Sequence, residues 1–336
     1  MNGVDMTALA AASGSADRPL TIGLVNNMPA GARAATERQF RQLLTAAAGD
    51  RTVRLRCYGT GAAAAAAGYA DVETIFESEI DGVIVTGAEP QAARLPDEPL
   101  WPMITRLVDW ADSHAIPSIW SCLAAHAAVH YLDGVGRRPL GEKLSGVFPG
   151  EIMTDHPLTR RLARDWKIPH SRCNDLDEDA LRASGYTILV RSDEAGVDMF
   201  QKTMHAPFIF FQSHPEYDAD TLLREFHRDV RRFHLGERPR LPSAPRHYFQ
   251  PERQALFDAL CGTTPEAGRN AEQVLDLLGR VDRDPTPAPW LPTAVTIYGN
   301  WIEDLSRRKD DSAALPWMME TLAAHRQKPV ETGATS

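Results

Sequence analysis

The sequence predicts an α/β fold: a doubly wound, mostly parallel sheet with a C-terminal helical extension. Three observations carry this expectation. Short apolar runs alternate with segments of helical period, the pattern of a sheet wound through crossover helices. Several runs are apolar at consecutive positions, as strands covered on both faces must be. Gly and Pro mark the joints between them.

In chain order, LTIGLV (20–25), TVRLRCY (52–58), DGVIVTGA (81–88), PSIWSC (117–122), TILVRS (187–192) and PFIFFQS (207–213) read as strands. Between them, 36–47 places Phe40, Leu43, Leu44 and Ala47 on one helical face, and 99–114 brings Ile104, Leu107, Val108 and Trp110 together. The alanine run 62–67 reads as loop or helix without function. Beyond residue 236 the pattern changes to a Pro-rich connector, GERPRLPSAPRHYFQPE. The helical patterns NAEQVLDLLGRV and AVTIYGNWIEDLSRR follow, too small for an independent domain. The expected organisation is a disordered leader (1–18), an α/β catalytic domain (19–236), a connector with helices packed on that domain (237–306) and a C-terminal helix and tail (307–336).

The formal net charge is −9, and Lys and Arg form no long stripe, which argues against nucleic acid as a partner. No apolar run reaches the roughly 18 residues a spanning helix requires, so no membrane is expected. The leader has Asp5, not Lys or Arg, ahead of its apolar stretch, unlike a signal peptide. The four cysteines (57, 122, 173, 261) lack metal spacing, and a disulfide framework is not expected at this chain length. A cytoplasmic protein with reduced thiols is the expectation. His126 and His130 stand i, i+4, a spacing that can bind zinc, but no HExxH pattern accompanies them. No metal is expected. Tyr217 and Trp301 read as structural.

The chemistry concentrates at SIWSCLAAHAAV (118–129), where Cys122 falls at the seam between a strand and a helix. Such a turn exposes the thiol, and the helix beyond it aims free N–H groups at the same place, which favours a thiolate and can hold an oxyanion. Ser121 and Ala124 stand where a nucleophile elbow usually has glycines. From this stretch alone, an inert buried cysteine fits as well. FFQSHPEYD (210–218) favours catalysis. Pro215 keeps the segment extended, so His214 and Glu216 project to one side. A cysteine at one strand end and a His–Glu pair at another supply a nucleophile, a base and an orienting carboxylate.

With these residues the chain resembles the homoserine O-acyltransferases of the homoserine transsuccinylase type. The resemblance runs in order through IGLVNNMP, TERQFRQLL, DGVIVTGAEP, EKLSGVF, PHSRCND, SHPEYDADTLLREFHRDV and YGNWI. It implies a flavodoxin-like fold similar to the class I glutamine amidotransferase domain. Cys122 then corresponds to the acyl-carrying nucleophile, His214 to the general base and Glu216 to its orienting carboxylate. Lys143, Ser171 and Arg228 correspond to substrate-binding positions, with Arg228 gripping the amino-acid carboxylate. Without the resemblance, Lys143 and Arg228 read as surface residues and Ser171 as a turn residue. The chain departs from the family pattern at Leu123 and His126, where an aromatic and a glutamine are usual. It departs again at AGARAA, which offers only Arg33, and at Pro149-Gly150.

The implied reaction carries an acyl group from acyl-coenzyme A to Cys122 and then to the hydroxyl of homoserine, in methionine biosynthesis. Acyl-coenzyme A is a substrate, and no resident cofactor is expected. The N–H of Leu123 and one from the TGAEP turn, Gly87 or Ala88, would form the oxyanion hole, the second by fold analogy. The acyl-discriminating position, counted without gaps from Cys122, falls on Gln91. Its amide keeps bulk without the negative charge that repels a succinyl carboxylate, so succinyl is favoured over acetyl. The partners are small molecules, and a homodimer is expected from the resemblance alone. Rival readings are a glutaminase-type amidotransferase, transfer to another hydroxy amino acid such as serine, and a non-enzymatic ligand-binding scaffold.

Overall fold

The computed structural model describes residues 19–163, 166–261, 267–281 and 288–326. The leader 1–18 and the final segment 327–336 lie outside the described residues. The strands are β1 (Leu20–Val25), β2 (Val53–Gly59), β3 (Ala70–Asp71), β4 (Gly82–Val85), β5 (Ser118–Ser121), β6 (Arg137–Pro149), β7 (Glu151–Ile152), β8 (Lys167–Leu176), β9 (Thr187–Ser192), β10 (Gly196–Thr203) and β11 (Pro207–Phe211). The helices are α1 (Ala30–Ala48), α2 (Gly61–Ala66), α3 (Trp101–Ser113), α4 (Leu123–Asp133), α5 (Glu178–Ala183), α6 (Thr221–His234), α7 (Pro251–Cys261), α8 (Ala267–Val281) and α9 (Leu291–Arg326).

Nine strands form one sheet in the order β3-β2-β1-β4-β5-β11-β10-β9-β7. The first six are parallel, and β10, β9 and β7 add an antiparallel edge. The chain leaves β1 to β2 on one side and returns to β4 on the other, which makes a crevice at the carboxyl ends of these strands.

Strand side chains alternate between two apolar layers. Ile22, Ile84, Ile119, Ile209 and Phe211 join α1 and α9 on one face, among Phe40, Leu43, Trp301 and Leu305. Val83, Val85, Trp120, Phe208 and Phe210 join α3 and α4 on the other, among Ile104, Leu107, Ala124 and Ala128. The consecutive apolar positions of the sequence are therefore two interleaved faces of one fully covered sheet. A third cluster packs α6 against α7 and α8 through Leu222, Phe226, Val230, Phe257, Val274, Leu278 and Trp290.

Five strands were not expected from the sequence: the two-residue β3 and β7, and β6, β8 and β10. β6 and β8 pair antiparallel as a separate two-stranded sheet, and β10 lies antiparallel between β9 and β11. β6 escaped notice because RRPLGEKLSGVFP buries only the consecutive Gly146, Val147 and Phe148 and lacks a buried alternation. The segments NAEQVLDLLGRV and AVTIYGNWIEDLSRR fall within α8 and α9, and the alanine run falls in α2. Among the described residues no helix is long and apolar enough to cross a membrane.

Candidate active site

Cys122 follows β5 directly and precedes α4, with φ 53° and ψ −117°. That conformation is costly for any residue but glycine. It is held from both sides: the Cys122 N–H donates to the Phe211 carbonyl (2.8 Å), and the Cys122 carbonyl accepts from the His126 N–H (3.1 Å). Leu123 is the first helical residue, so its N–H has no partner within the helix. The side chains of Leu123, Ala124 and Ala125 are buried.

His214 follows β11, the neighbour of β5 in the sheet. Its N–H donates to the Pro169 carbonyl (2.9 Å), and its Nδ1 meets Glu216 Oε1 at 2.9 Å. The segment is not extended as expected: the Tyr217 N–H donates to the His214 carbonyl (3.1 Å), closing a turn through Pro215 and Glu216 that brings the carboxylate to its own imidazole. Burial opposes a charge on the ring. The Glu216 carboxylate and a hydrogen bond with Cys122 outweigh that penalty and hold the imidazole pKa well above its usual range. The ring also stacks on Tyr217, with centroids 4.3 Å apart and planes within 15°.

Cys122, His214 and Glu216 border one cavity of about 410 Å³. It lies at the carboxyl ends of β1, β4, β5 and β11, which contribute Met28, the Thr86–Pro90 loop, Cys122 and His214. Asn27 fixes the second of these: its N–H donates to Thr86 Oγ1 (2.9 Å) and its amide to the Thr86 carbonyl (2.7 Å). Gly87 brings that loop against the elbow. A Cβ there would lie 2.6 Å from the Leu123 nitrogen and 3.0 Å from the Ser121 carbonyl oxygen. Gly87 and Leu123 both line the cavity, as an oxyanion site between them requires.

The opposite wall comes from α6 and the β6–β8 sheet. Lys143 is not a surface residue. Its ammonium donates to Glu225 Oε2 (3.0 Å) and Asp229 Oδ2 (3.1 Å), and its side chain is mostly buried. Ser171 is not in a turn but within β8, where its hydroxyl donates to Glu225. Burial works against the Glu225 charge, but Lys143 and Ser171 outweigh it and depress the carboxyl to about 2. Arg228 is about half exposed. Its Nε and Nη2 bind Asp229 Oδ1 at 3.0 and 2.9 Å.

Several cavity residues were missed in the sequence. Tyr217, read as structural, lies under the His214 imidazole and donates to Glu225 Oε1 (2.8 Å). Glu225, Asp229 and Arg232 share one face of α6 with Arg228. The legible signal was the charged stripe at 225, 228, 229 and 232, opposite the apolar stripe of the same helix. Gln91 falls elsewhere. Its side chain is exposed and outside the cavity lining, while Glu89 and Pro90 border it. After Pro90 the loop turns away, pinned by the Gln91 and Ala92 N–H groups on the buried Glu98 carboxylate (3.0 and 3.3 Å).

His126 and His130 go separate ways. His126 Nε2 meets Gln212 Oε1 at 2.9 Å, an oxygen that also accepts from the Leu176 N–H (3.1 Å). Nε2 therefore carries the proton. Burial pushes the His126 pKa down to about 4, so a neutral ring lines the cavity. His130 packs on Trp101.

A doubly wound sheet with a thiol, an imidazole and a carboxylate gathered at its strand ends defines an α/β enzyme of the acyl-handling kind. A family model described as homoserine O-succinyltransferase matches residues 2–309. The homoserine O-succinyltransferase of Rhodopseudomonas palustris is 43% identical over 300 residues, covering 87% of this chain and 90% of that one. That of Methylorubrum extorquens is 42% identical over 298 residues, covering 87% and 88%. Among solved structures, a glutamine amidotransferase from Thermotoga maritima aligns at a TM-score of 0.46 and 14% identity, over 82% of this chain and 98% of its own. The chain belongs to the homoserine O-succinyltransferase family.

Proposed function

We propose that this chain transfers a succinyl group from succinyl-coenzyme A to the hydroxyl of L-homoserine through an acyl-enzyme on Cys122, a step of methionine biosynthesis. The observation that carries the reading is the thiol of Cys122 sharing a cavity with an imidazole whose Nδ1 is held by Glu216 at 2.9 Å. His214 can take the Cys122 proton as the sulfur attacks, with Glu216 holding the ring in the orientation that receives it.

In the first half-reaction the thiolate adds to the thioester carbonyl. The Leu123 N–H and the Gly87 loop face the developing oxyanion. As the carbonyl re-forms, the bond to the coenzyme A sulfur breaks, and that sulfur leaves with the His214 proton. Acylation leaves the Cys122 sulfur uncharged, and the proton has departed with coenzyme A. The neutral imidazole is then a base. In the second half-reaction it takes the homoserine hydroxyl proton as that oxygen adds to the acyl carbon. Collapse releases the ester and restores the Cys122 thiolate beside an imidazolium.

The far wall suits an amino-acid acceptor. Arg228 commits Nε and Nη2 to Asp229, which leaves its remaining nitrogen for a carboxylate. Glu225 and Asp229 supply acceptors for an ammonium. The chemistry is complete with the chain's own residues and its two substrates. The test is intact-mass analysis after mixing with succinyl-coenzyme A in the absence of acceptor. A succinyl adduct is expected on wild type and not on Cys122→Ala, with discharge by homoserine and not by serine. An adduct that persists in Cys122→Ala, or none on folded wild type, overturns the reading.

A further inference from the structure

The β6–β8 sheet contains an irregularity that serves more than the catalytic site. Pro139 pairs with Asn174 and Leu144 with Arg172, so Leu140, Gly141, Glu142 and Lys143 stand opposite Cys173 alone. Four residues against one is a large bulge, and bulges next to active sites re-aim side chains or end pairing. This one delivers Lys143 to the catalytic cavity. It also opens a second cavity, of about 240 Å³, lined by the bulge, by Cys173 and by the segment from Arg238 to Ser243. Lys143, Cys173, Asp229 and Arg238 border both cavities, so the two spaces adjoin.

On the acyl-transfer reading above, the donor has a geometric requirement that its acceptor lacks. Its thioester must reach Cys122 while its long arm, methylenes and two amides ending in phosphates, leaves by a space continuous with the catalytic cavity. The second cavity has the matching parts. Leu140, Phe226 and Leu241 give it apolar walls. The bulge gives it backbone out of register with β8, the kind that bonds amides in an extended ligand. Pro239 and Pro242 stiffen the outer wall before any ligand arrives. Arg240 lines the cavity, is exposed, and has no ion-pair partner among the described residues. A guanidinium so placed suits phosphate oxygens.

We propose that the cavity opened by the β6 bulge seats the amide-and-phosphate arm of the thioester donor, with Arg240 at its phosphates. Two variants probe it differently. Arg240→Glu reverses the charge. Gly141→Leu fills the space at a position where an added Cβ meets no atom within 4 Å and the backbone is unstrained. Each is assayed with succinyl-coenzyme A and with S-succinyl-N-acetylcysteamine, a donor lacking the phosphate end. The expected result is a KM for succinyl-coenzyme A raised at least tenfold relative to any change with the truncated donor, and an unaltered KM for homoserine. Arg240→Lys should recover part of the loss. Titration of free coenzyme A onto the full chain should show the same weakening without turnover. Equal effects on both donors, or coenzyme A binding within twofold of wild type in both variants, overturn the proposal while leaving acyl transfer intact. Failure of both donors to load wild-type Cys122 removes the acyl-transfer reading, and the proposal with it.

Discussion

Cys122 holds a positive φ that costs a non-glycine residue about 1–3 kcal/mol, and the reason to tolerate it is the thiol's position at the turn. Cys122→Gly is therefore expected to melt at or above the wild-type temperature in a thermal scan while losing transfer at least about 10⁴-fold. A large drop in melting temperature would show that the thiol's packing, not its chemistry, is what the position requires. The same logic applies to Glu216, whose carboxylate is one of the groups keeping His214 protonated. His214 is raised in the folded site, so its proton is present below that raised pKa and lost as pH climbs through it. In Glu216→Gln the largest raising cause is gone. The basic limb of the kcat/KM profile for the donor is then expected to move to lower pH, with kcat falling about 10²–10⁴-fold. An unmoved limb would separate Glu216 from the imidazole's proton.

α6 divides its faces between stability and chemistry. Leu222, Phe226 and Val230 pack under α7 and α8, while Glu225, Arg228, Asp229 and Arg232 form a wall of the cavity. β6 and β8 act similarly, as a separate sheet that projects Lys143 and Ser171 onto the same carboxylates. The loop after β4 is tighter. Gly87→Ala would force its Cβ against the Leu123 nitrogen, one of the proposed oxyanion donors. Steady-state assays should show kcat lower by about 10²–10³-fold, the usual loss for a displaced oxyanion donor, with little change in KM for homoserine. A wild-type kcat would place the oxyanion elsewhere.

Across the whole molecule, the parallel half of the sheet depends on α9 as much as on α1. Trp301 is almost completely buried, and a Cβ at Gly82 would lie 2.9 Å from its ring, so helix and strand approach as closely as a glycine allows. Lys309 ties α9 to the β4 edge through Asp81 (2.8 Å) and the Pro19 carbonyl (2.9 Å). Trp301→Ala is expected to destabilise the protein by about 3–5 kcal/mol in denaturant titration. A loss below about 1 kcal/mol would mean that α9 is an appendage and not part of the core. The C-terminal segment beyond residue 236 thus completes two of the three apolar clusters, through α9 on the sheet and through α7 and α8 beneath α6.

The longer parallel strands, the elbow cysteine and the pairing of His214 with Glu216 were readable along the chain because each depends on neighbours within a few residues, although Pro215 makes a turn and not the extended segment expected. Apolar runs announce a doubly covered sheet, and a proline between His214 and Glu216 leaves the carboxylate beside its ring. Lys143 and Ser171 carried no such local mark. They became site residues only when a bulged strand and its partner folded over α6 and closed an ion-paired network spanning 54 to 86 residues of sequence. Tyr217 gained its place under the imidazole in the same way, through its bond to Glu225. Gln91 illustrates the converse: counting along the chain carries it to the expected offset, but the turn pinned on Glu98 sends it outside the cavity. Local chemistry is inscribed in spacing, whereas a cavity wall assembled from distant elements exists only after burial has brought their charges together.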